Sequence, residues 1–565
     1  EDCVFSILAF GRSFLSMQMG DIEDWTGDEN VRGGGANDDV IEVKVTRRRP
    51  KGVNGVKDGC SSPSSLGSVW VRTWGCSHNV SDSEYMSGIL AHSGYSVVRD
   101  ADDADVWVLN SCTVKTPSED QAANLVRSAR EKGKRVVMAG CVSQADPNAE
   151  WLQDVSIVGV KQIDQIEEAV KGSLEGRSVR ILTRNRPHAP LDLPKIRKNP
   201  LVEVLAISTG CLNRCTYCKT KAARGDLKSI SLEDLVARAK QAFEEGVKEI
   251  WLTSEDLGAW GRDIGLIIPD LLYALVEVIP EGCRLRLGMT NPPYIMDHLH
   301  DMAEILSHPR VYRFLHIPIQ SGSDAVLHHM KREYTVDDFC KAVDYLLDKV
   351  PDLYIATDFI CAYPTETRDD FEKSMGLVRQ YKFPSLFINQ YYPRSGTPAA
   401  VLPRVDAKEA KNRTAEMSAY FRGYSRFDEK RIGTEETILI CEEASDGIHL
   451  VGHSSSYEQI LVPRRCGMGK ERRVRITSIG KFHMMAEPVE HIEENEEDES
   501  INKKSQSIDT TVTSSSIENT VTTTSSSIDN QDEQRVSVRQ MVMITVIVLM
   551  IAIVLKKLYL LLNKE

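Results

Sequence analysis

The sequence predicts an α/β protein in three folded parts. These are an N-terminal doubly wound parallel-sheet domain, a partial (β/α) barrel and a small C-terminal β-barrel, and a transmembrane helix follows them. Three observations lead there. Strand-like and helix-like runs alternate from residue 66 to about 400. From 432 to 487 the pattern changes to short strands without long helices. A final apolar run occupies 541–562. At 565 residues, 41% hydrophobic and 27% charged, the chain has room for several ordinary cores.

The net charge of −13 is unevenly spread. From Glu487 to Arg535 there are 13 acidic and 3 basic residues, so the rest of the chain carries only about −3. An acidic total therefore does not exclude a nucleic-acid partner. Thirteen cysteines, an odd number, occur without a signal peptide; "VFSILAF" near the start lacks a basic n-region. They are expected as thiols of a reducing compartment, serving as metal ligands or core residues. Position 1 is Glu, and Met17 and Met19 are the candidate starts; Asp24 excludes myristoylation at Gly20.

Residues 1–65 are rich in Gly, Asp, Asn and Ser and read as disordered. Their basic stretch "KVTRRRPK" reads as a solvated tail, with a nuclear signal or an RNA contact as alternatives. In the first domain, 66–180, the runs "SVWVRTWGC", "DVWVLNSC" and "RVVMAGC" each end in a cysteine: Cys76, Cys112 and Cys141. Parallel strands present their carboxyl ends along one edge, where ligands bind. Three cysteines just past three such ends are expected to converge; the alternative is three buried thiols. The second domain, 195–430, holds about six further strand-like runs with helices between them, the pattern of an open or partial barrel.

"CLNRCTYC", residues 211–218, follows the first of these strands, and its three cysteines are Cys211, Cys215 and Cys218. A structural zinc site takes four protein ligands. A [4Fe–4S] cluster also takes four thiolates, and with three one iron is left open to a small molecule. The third part, 432–487, carries Arg464, Arg465, Lys470, Arg472, Arg473, Arg475 and Lys481 in short strands. On a small barrel such a run is either a solvated face or an RNA surface. Residues 491–536 read as an acidic, Ser/Thr-rich linker. In 541–562 the uninterrupted apolar part ends at Leu555, and Lys556 and Lys557 lie near the far end, where they snorkel. This segment reads as a membrane anchor.

C-x₃-C-x₂-C after a barrel strand resembles the radical S-adenosylmethionine (SAM) superfamily. A second cysteine set and a basic terminal barrel make the stretch 66–487 resemble the methylthiotransferase family, with its TRAM RNA-binding domain. "CTYCKTKAARG", "WLTSEDLGAWGRDIG", "LGMTNPPYI", "FLHIPIQSGSD" and "FPSLFINQYYPRSGTPAA" resemble the archaeal and eukaryotic branch. That resemblance implies two [4Fe-4S] clusters: Cys211, Cys215 and Cys218 would bind the SAM cluster, and Cys76, Cys112 and Cys141 an auxiliary one. It implies methylthiolation of C2 of N6-threonylcarbamoyladenosine at position 37 of tRNA, using S-adenosyl-L-methionine and an electron donor. A prenylated adenosine or a ribosomal protein are alternative targets, and a membrane-tethered, RNA-binding zinc protein is the non-enzymatic alternative. It also implies a tail-anchored monomer in the endoplasmic reticulum membrane with cytosolic catalytic domains.

Glu255 and Asp256, after the second barrel strand, are expected either at the SAM amino group or ribose, or as helix caps. Gln320 and Ser321 are expected to face the cofactor, and His316 to be a core histidine. Arg332 is expected either at the SAM carboxylate or on a helix surface, and Arg472, Arg473, Arg475 and Lys481 at RNA. Four positions depart from the branch pattern: Ala222 stands for His, Leu257 for Thr, and Ala362 and Thr365 for two glycines.

Overall fold

The computed structural model of the chain describes residues 66–113, 116–183 and 186–490. The segments expected as a disordered start (1–65), a linker (491–536) and a membrane anchor (541–562) lie outside the described residues. Among the described residues no helix is long and apolar enough to cross a membrane.

The first domain is one parallel sheet of six strands: β1 (Ser68–Thr73), β2 (Ser96–Val98), β3 (Val106–Ser111), β4 (Arg135–Gly140), β5 (Ser156–Val158) and β6 (Arg180–Ile181). Their order is β2-β1-β3-β4-β5-β6. Strand residues alternate between two cores. Val106, Val108, Val137 and Ala139 pack with Tyr85, Met86 and Leu90 of the helix Ser77–His92. Trp107, Leu109, Val136 and Met138 pack with Ala122, Val126 and Ala129 of the helix Thr116–Glu131. Apolar residues at both phases of the alternation are what a sheet covered on both faces requires, so the doubly wound expectation holds. The strand order reverses between β1 and β3, a topological switch point where such sheets bind ligands.

The second domain has six parallel strands: β7 (Val202–Ala206), then, after the short pair β8 (Ser208–Thr209) and β9 (Lys228–Ser229), β10 (Glu249–Thr253), β11 (Arg284–Arg286), β12 (Phe314–His316), β13 (Tyr354–Cys361) and β14 (Ser385–Gln390). They pair as β11-β10-β7 and β12-β13-β14. Parallel bridges Leu285–Val311 and Met289–His316 join the halves into one arc. This is the partial barrel, filled by Leu205, Ile250, Leu285, Leu315, Ile355 and Phe359. The first domain docks at the β7 edge, where Ser81 Oγ donates to the Val204 carbonyl at 2.9 Å.

Five strands form a closed barrel in the third part: β15 (Glu435–Glu443), β16 (His449–His453), β17 (Gln459–Pro463), β18 (Glu471–Ile479) and β19 (His483–Pro488). It packs under the amino-terminal rim of the larger barrel. Tyr457 meets Tyr312 and Phe314 there, and buried Glu249 accepts hydrogen bonds from Tyr312 (2.5 Å) and Trp251 (2.8 Å). The small barrel therefore lies opposite the carboxyl edge that carries the cysteine loop.

Candidate active site

The loop of Cys211, Cys215 and Cys218 starts at Gly210, whose φ is +81°. A Cβ there would stand 2.2 Å from the Asp226 carbonyl oxygen, so only glycine lets the chain turn out of the strand. The loop is tied down along its length. Cys211 N donates to Gly225 O (3.2 Å) and Thr216 N to Met330 O (3.0 Å). Tyr294 Oη donates to Asn213 Oδ1 (2.7 Å), and Arg394 to the Tyr217 carbonyl (2.9 Å). Tethering to four neighbouring segments holds the three thiols on the rim.

A polar arc crosses the same rim. The backbone and side-chain amides of Asn291 donate to Asp256 (3.1 and 2.6 Å). Arg332 donates to Asn291 Oδ1 (2.7 Å) and to the Cys215 sulfur (3.4 Å). Burial pushes the Asp256 carboxyl up to about 6, against the pull of Asn291 and Arg332. It also pushes the Cys211 thiol up to about 12 and raises Cys215, which Arg332 partly offsets. An acid, an amide and a guanidinium beside three thiols is a donor set that fits the charged end of an amino acid on an open iron. Arg332 is half-buried and lies past the end of the helix Asp324–His329, with its side chain set against Cys215 and Asn291.

The neighbouring pair Glu255 and Asp256 divides. Asp256 stays on the cofactor rim, although it precedes a short 3₁₀ turn that its side chain does not cap. Glu255 turns instead to the first domain, where Oε1 lies 3.1 Å from both His78 Nδ1 and Arg224 Nε. Glu255 Oε1 is thereby committed to the first domain, while Asp256 pairs with Asn291. Ser321 is buried, and its hydroxyl accepts from Ser323 N (3.3 Å) in its own turn. Gln320 has φ +71° and bridges β13 through its backbone, N to Asp358 O and O from Ile360 N. His316 is buried as expected, paired with Asp358 and packed on Phe387.

The other cysteines follow β1, β3 and β4, adjacent strands at the switch point. Gly75 (φ +111°) precedes Cys76, and a Cβ on it would stand 2.6 Å from Cys112 Cβ. Gly140 (φ +86°) precedes Cys141, and a Cβ there would stand 2.1 Å from Asn110 Oδ1. The three cysteine-bearing segments thus lie side by side at the switch point. Cys112 and Cys141 are buried and Cys76 reaches the surface. The surrounding protein raises the Cys76 thiol, with Cys112 and Cys141 adding to it and Arg224 opposing. The Gly–Cys dipeptide at 75–76, 140–141 and 210–211 also occurs at 59–60 and 282–283, so it does not by itself mark a site. Among the described residues no group of three His, Cys, Asp or Glu is arranged to hold a single metal ion.

The basic run of the third part also divides. Arg473 and Arg475 project from β18 with side chains 67% and 56% exposed, sharing Glu435. Arg472 is half-buried and donates to the Cys466 carbonyl (3.0 Å). Lys481 is drawn inward: it donates to the carbonyls of Phe421 and Tyr424 and lies over both rings. Its expectation as an RNA contact is corrected, because a cation beside the end of the helix Ala407–Gly423 satisfies carbonyls that the helix leaves unpaired.

The model of the Radical SAM superfamily matches residues 205–378, and that of the Uncharacterized protein family UPF0004 matches 68–159. The barrel with its cysteine loop is therefore a radical SAM domain. Threonylcarbamoyladenosine tRNA methylthiotransferase of Danio rerio is 55% identical over 429 residues, covering 75% of this chain and 78% of that protein. The Homo sapiens protein of the same name is 56% identical over 428 residues, 74% of each. A probable member from Pyrococcus abyssi is 34% identical over 414 residues, 73% of this chain and 96% of that protein. The chain belongs to the threonylcarbamoyladenosine tRNA methylthiotransferase family.

Proposed function

We propose that this enzyme places a methylthio group on C2 of N6-threonylcarbamoyladenosine at position 37 of tRNA. The observation that carries the reading is the pairing of two three-cysteine sets, each past parallel strand ends, in two domains docked through β7. Cys211, Cys215 and Cys218 would hold the cluster that binds SAM, with Asp256, Asn291 and Arg332 orienting its amino and carboxylate groups. Cys76, Cys112 and Cys141 would hold a second [4Fe–4S] cluster. Bound there, these groups supply radical and methyl-transfer chemistry that side chains cannot, and a strong, non-acidic C2–H bond needs it. The protein contributes a fixed thiol geometry, a buried rim and the alignment of the two sets.

Arg473 and Arg475 are exposed cations on β18 of the small barrel, and we assign them to tRNA phosphates as a TRAM-type surface. The segment 541–562 is assigned as a tail anchor in the endoplasmic reticulum membrane, with the preceding domains cytosolic; its apolar run and terminal lysines support this. An external electron donor completes the requirement.

Mass spectrometry of tRNA nucleosides from cells lacking the protein tests the activity. Loss of the 2-methylthio form, with the unmodified threonylcarbamoyl nucleoside accumulating, is expected. Normal levels of the methylthio form would sink the substrate assignment. Deleting 538–565 tests the anchor: the product should be soluble and still active on tRNA in vitro.

A further inference from the structure

Arg224 ends the helix Thr220–Arg224, six residues beyond Cys218, yet its side chain is spent on the other domain. It is buried at 2% exposure. Its guanidinium donates to Asn79 Oδ1 and to Asp82 Oδ2, both at 2.8 Å, and its Nε pairs with Glu255 Oε1 at 3.1 Å. Asn79 extends this grip. Its Nδ2 donates to the Trp74 carbonyl at 2.8 Å, two residues before Cys76, and its Oδ1 lies 3.7 Å from the Cys141 sulfur. Asn110, two residues before Cys112, donates to the Asn79 carbonyl at 2.8 Å. One guanidinium thus anchors a network that reaches the segments of all three cysteines in the first domain.

We infer that Arg224 is a positioning residue for the first domain's cluster, contributed by the SAM domain. The inference rests on reading Cys76, Cys112 and Cys141 as cluster ligands. A guanidinium serving only as a domain joint would satisfy itself on carboxylates, and Asp82 and Glu255 are both within its reach. Here it also holds Asn79, whose Oδ1 lies 3.7 Å from the Cys141 sulfur. Hydrogen bonds to cluster sulfurs and nearby positive charge raise a cluster's reduction potential, because they stabilise the added electron. Lysine keeps the charge but not the planar fork that meets Asn79, Asp82 and Glu255 together. The same residue ties the distance between the two cysteine sets to the environment of one of them.

The test isolates the first set. A Cys211→Ala/Cys215→Ala/Cys218→Ala chain, reconstituted without oxygen, is compared with the same chain carrying Arg224→Lys. Iron content, electron paramagnetic resonance and a redox titration are read, with melting as a control. The expected result is about four irons in both, with a changed resonance and a more negative potential in the Arg224→Lys chain. In the otherwise native chain, Arg224→Lys should cleave SAM normally while product formation falls roughly 10–100-fold. Unchanged resonance and potential would overturn the inference and leave Arg224 a domain clamp. Iron lost with melting unchanged supports positioning, whereas iron lost together with a lowered melting temperature overturns it. A parent chain with no iron would instead overturn the ligand reading itself.

Discussion

The two cysteine sets reach similar places by different routes. Cys211, Cys215 and Cys218 come from eight consecutive residues, and their loop is pinned by Met330, Tyr294 and Arg394 from around the barrel. Cys76, Cys112 and Cys141 come from three strand ends, and only the pairing β1-β3-β4 makes them neighbours. A local set depends on loop rigidity. A dispersed set depends on sheet topology and on whatever holds the switch point together, here a network that crosses to the next domain.

The largest expected difference separates the two chemistries. Replacing Cys211, Cys215 and Cys218 by Ala should remove about four irons and abolish both SAM cleavage and product. Replacing Cys76, Cys112 and Cys141 should also remove about four, but abolish product while sparing cleavage. Iron analysis and 5′-deoxyadenosine assay check this, and full iron in either variant would end the corresponding assignment.

The glycines before the cysteines sharpen the comparison. At Gly210 the nearest backbone obstruction, the Asp226 oxygen, stands 2.2 Å away; at Gly140 the Asn110 side chain stands at 2.1 Å and the nearest backbone atom, the Ser111 oxygen, at 2.9 Å. Both positions also have positive φ. Gly210→Ala should therefore destabilise by roughly 2–4 kcal/mol, and Gly140→Ala by about 1–3 kcal/mol. Each should impair only its own cluster. Denaturant melts paired with iron counts would expose a reversal of this order.

The joint that holds one set over the other contains a second buried network, and it is acid-sensitive. Glu203 on β7 pairs with Lys195 (2.9 Å), Arg197 and Arg238 (3.0 Å), and Lys195 also reaches Glu84 of the helix Ser77–His92 (3.1 Å). Burial pushes the Glu203 carboxyl upward, but Lys195, Arg238 and Arg197 outweigh it and hold the group at about 2 against an ordinary 4.5. The folded value is depressed, so the stabilisation is full above 4.5 and is lost as pH falls toward 2. That loss is on the order of 3 kcal/mol. Glu203→Gln should be less stable at neutral pH and lack this slope in melting curves taken across the same range.

The smallest effect concerns a departure from the branch pattern. Ala362 stands where glycine is usual, and its φ is +61°. Ala362→Gly should relieve left-handed strain at some entropic cost, a net gain of up to about 1 kcal/mol, with both cysteine sets unaffected. A loss of stability would mean that the Ala362 methyl is packed usefully.

The sequence by itself determined the alternation that makes the parallel sheet and the arc, the short strands that close the small barrel, and the local cysteine loop. Periodicity and spacing are properties of neighbouring residues, so a single chain displays them. It also allowed the dispersed cysteines to be placed together, because strand ends in one parallel sheet share an edge. Only the tertiary structure decided where charges past those ends point. Glu255 and Asp256 are adjacent, yet one pairs with His78 of the first domain and the other with Asn291 on the barrel rim. Arg224 follows the cysteine loop of the barrel but pairs with Asp82 of the first domain, and Lys481 lies in a basic run but donates to a carbonyl at a helix end. A buried charge goes where distant elements supply its partners, since leaving it unpaired costs several kcal/mol, and those partners are not adjacent in the chain.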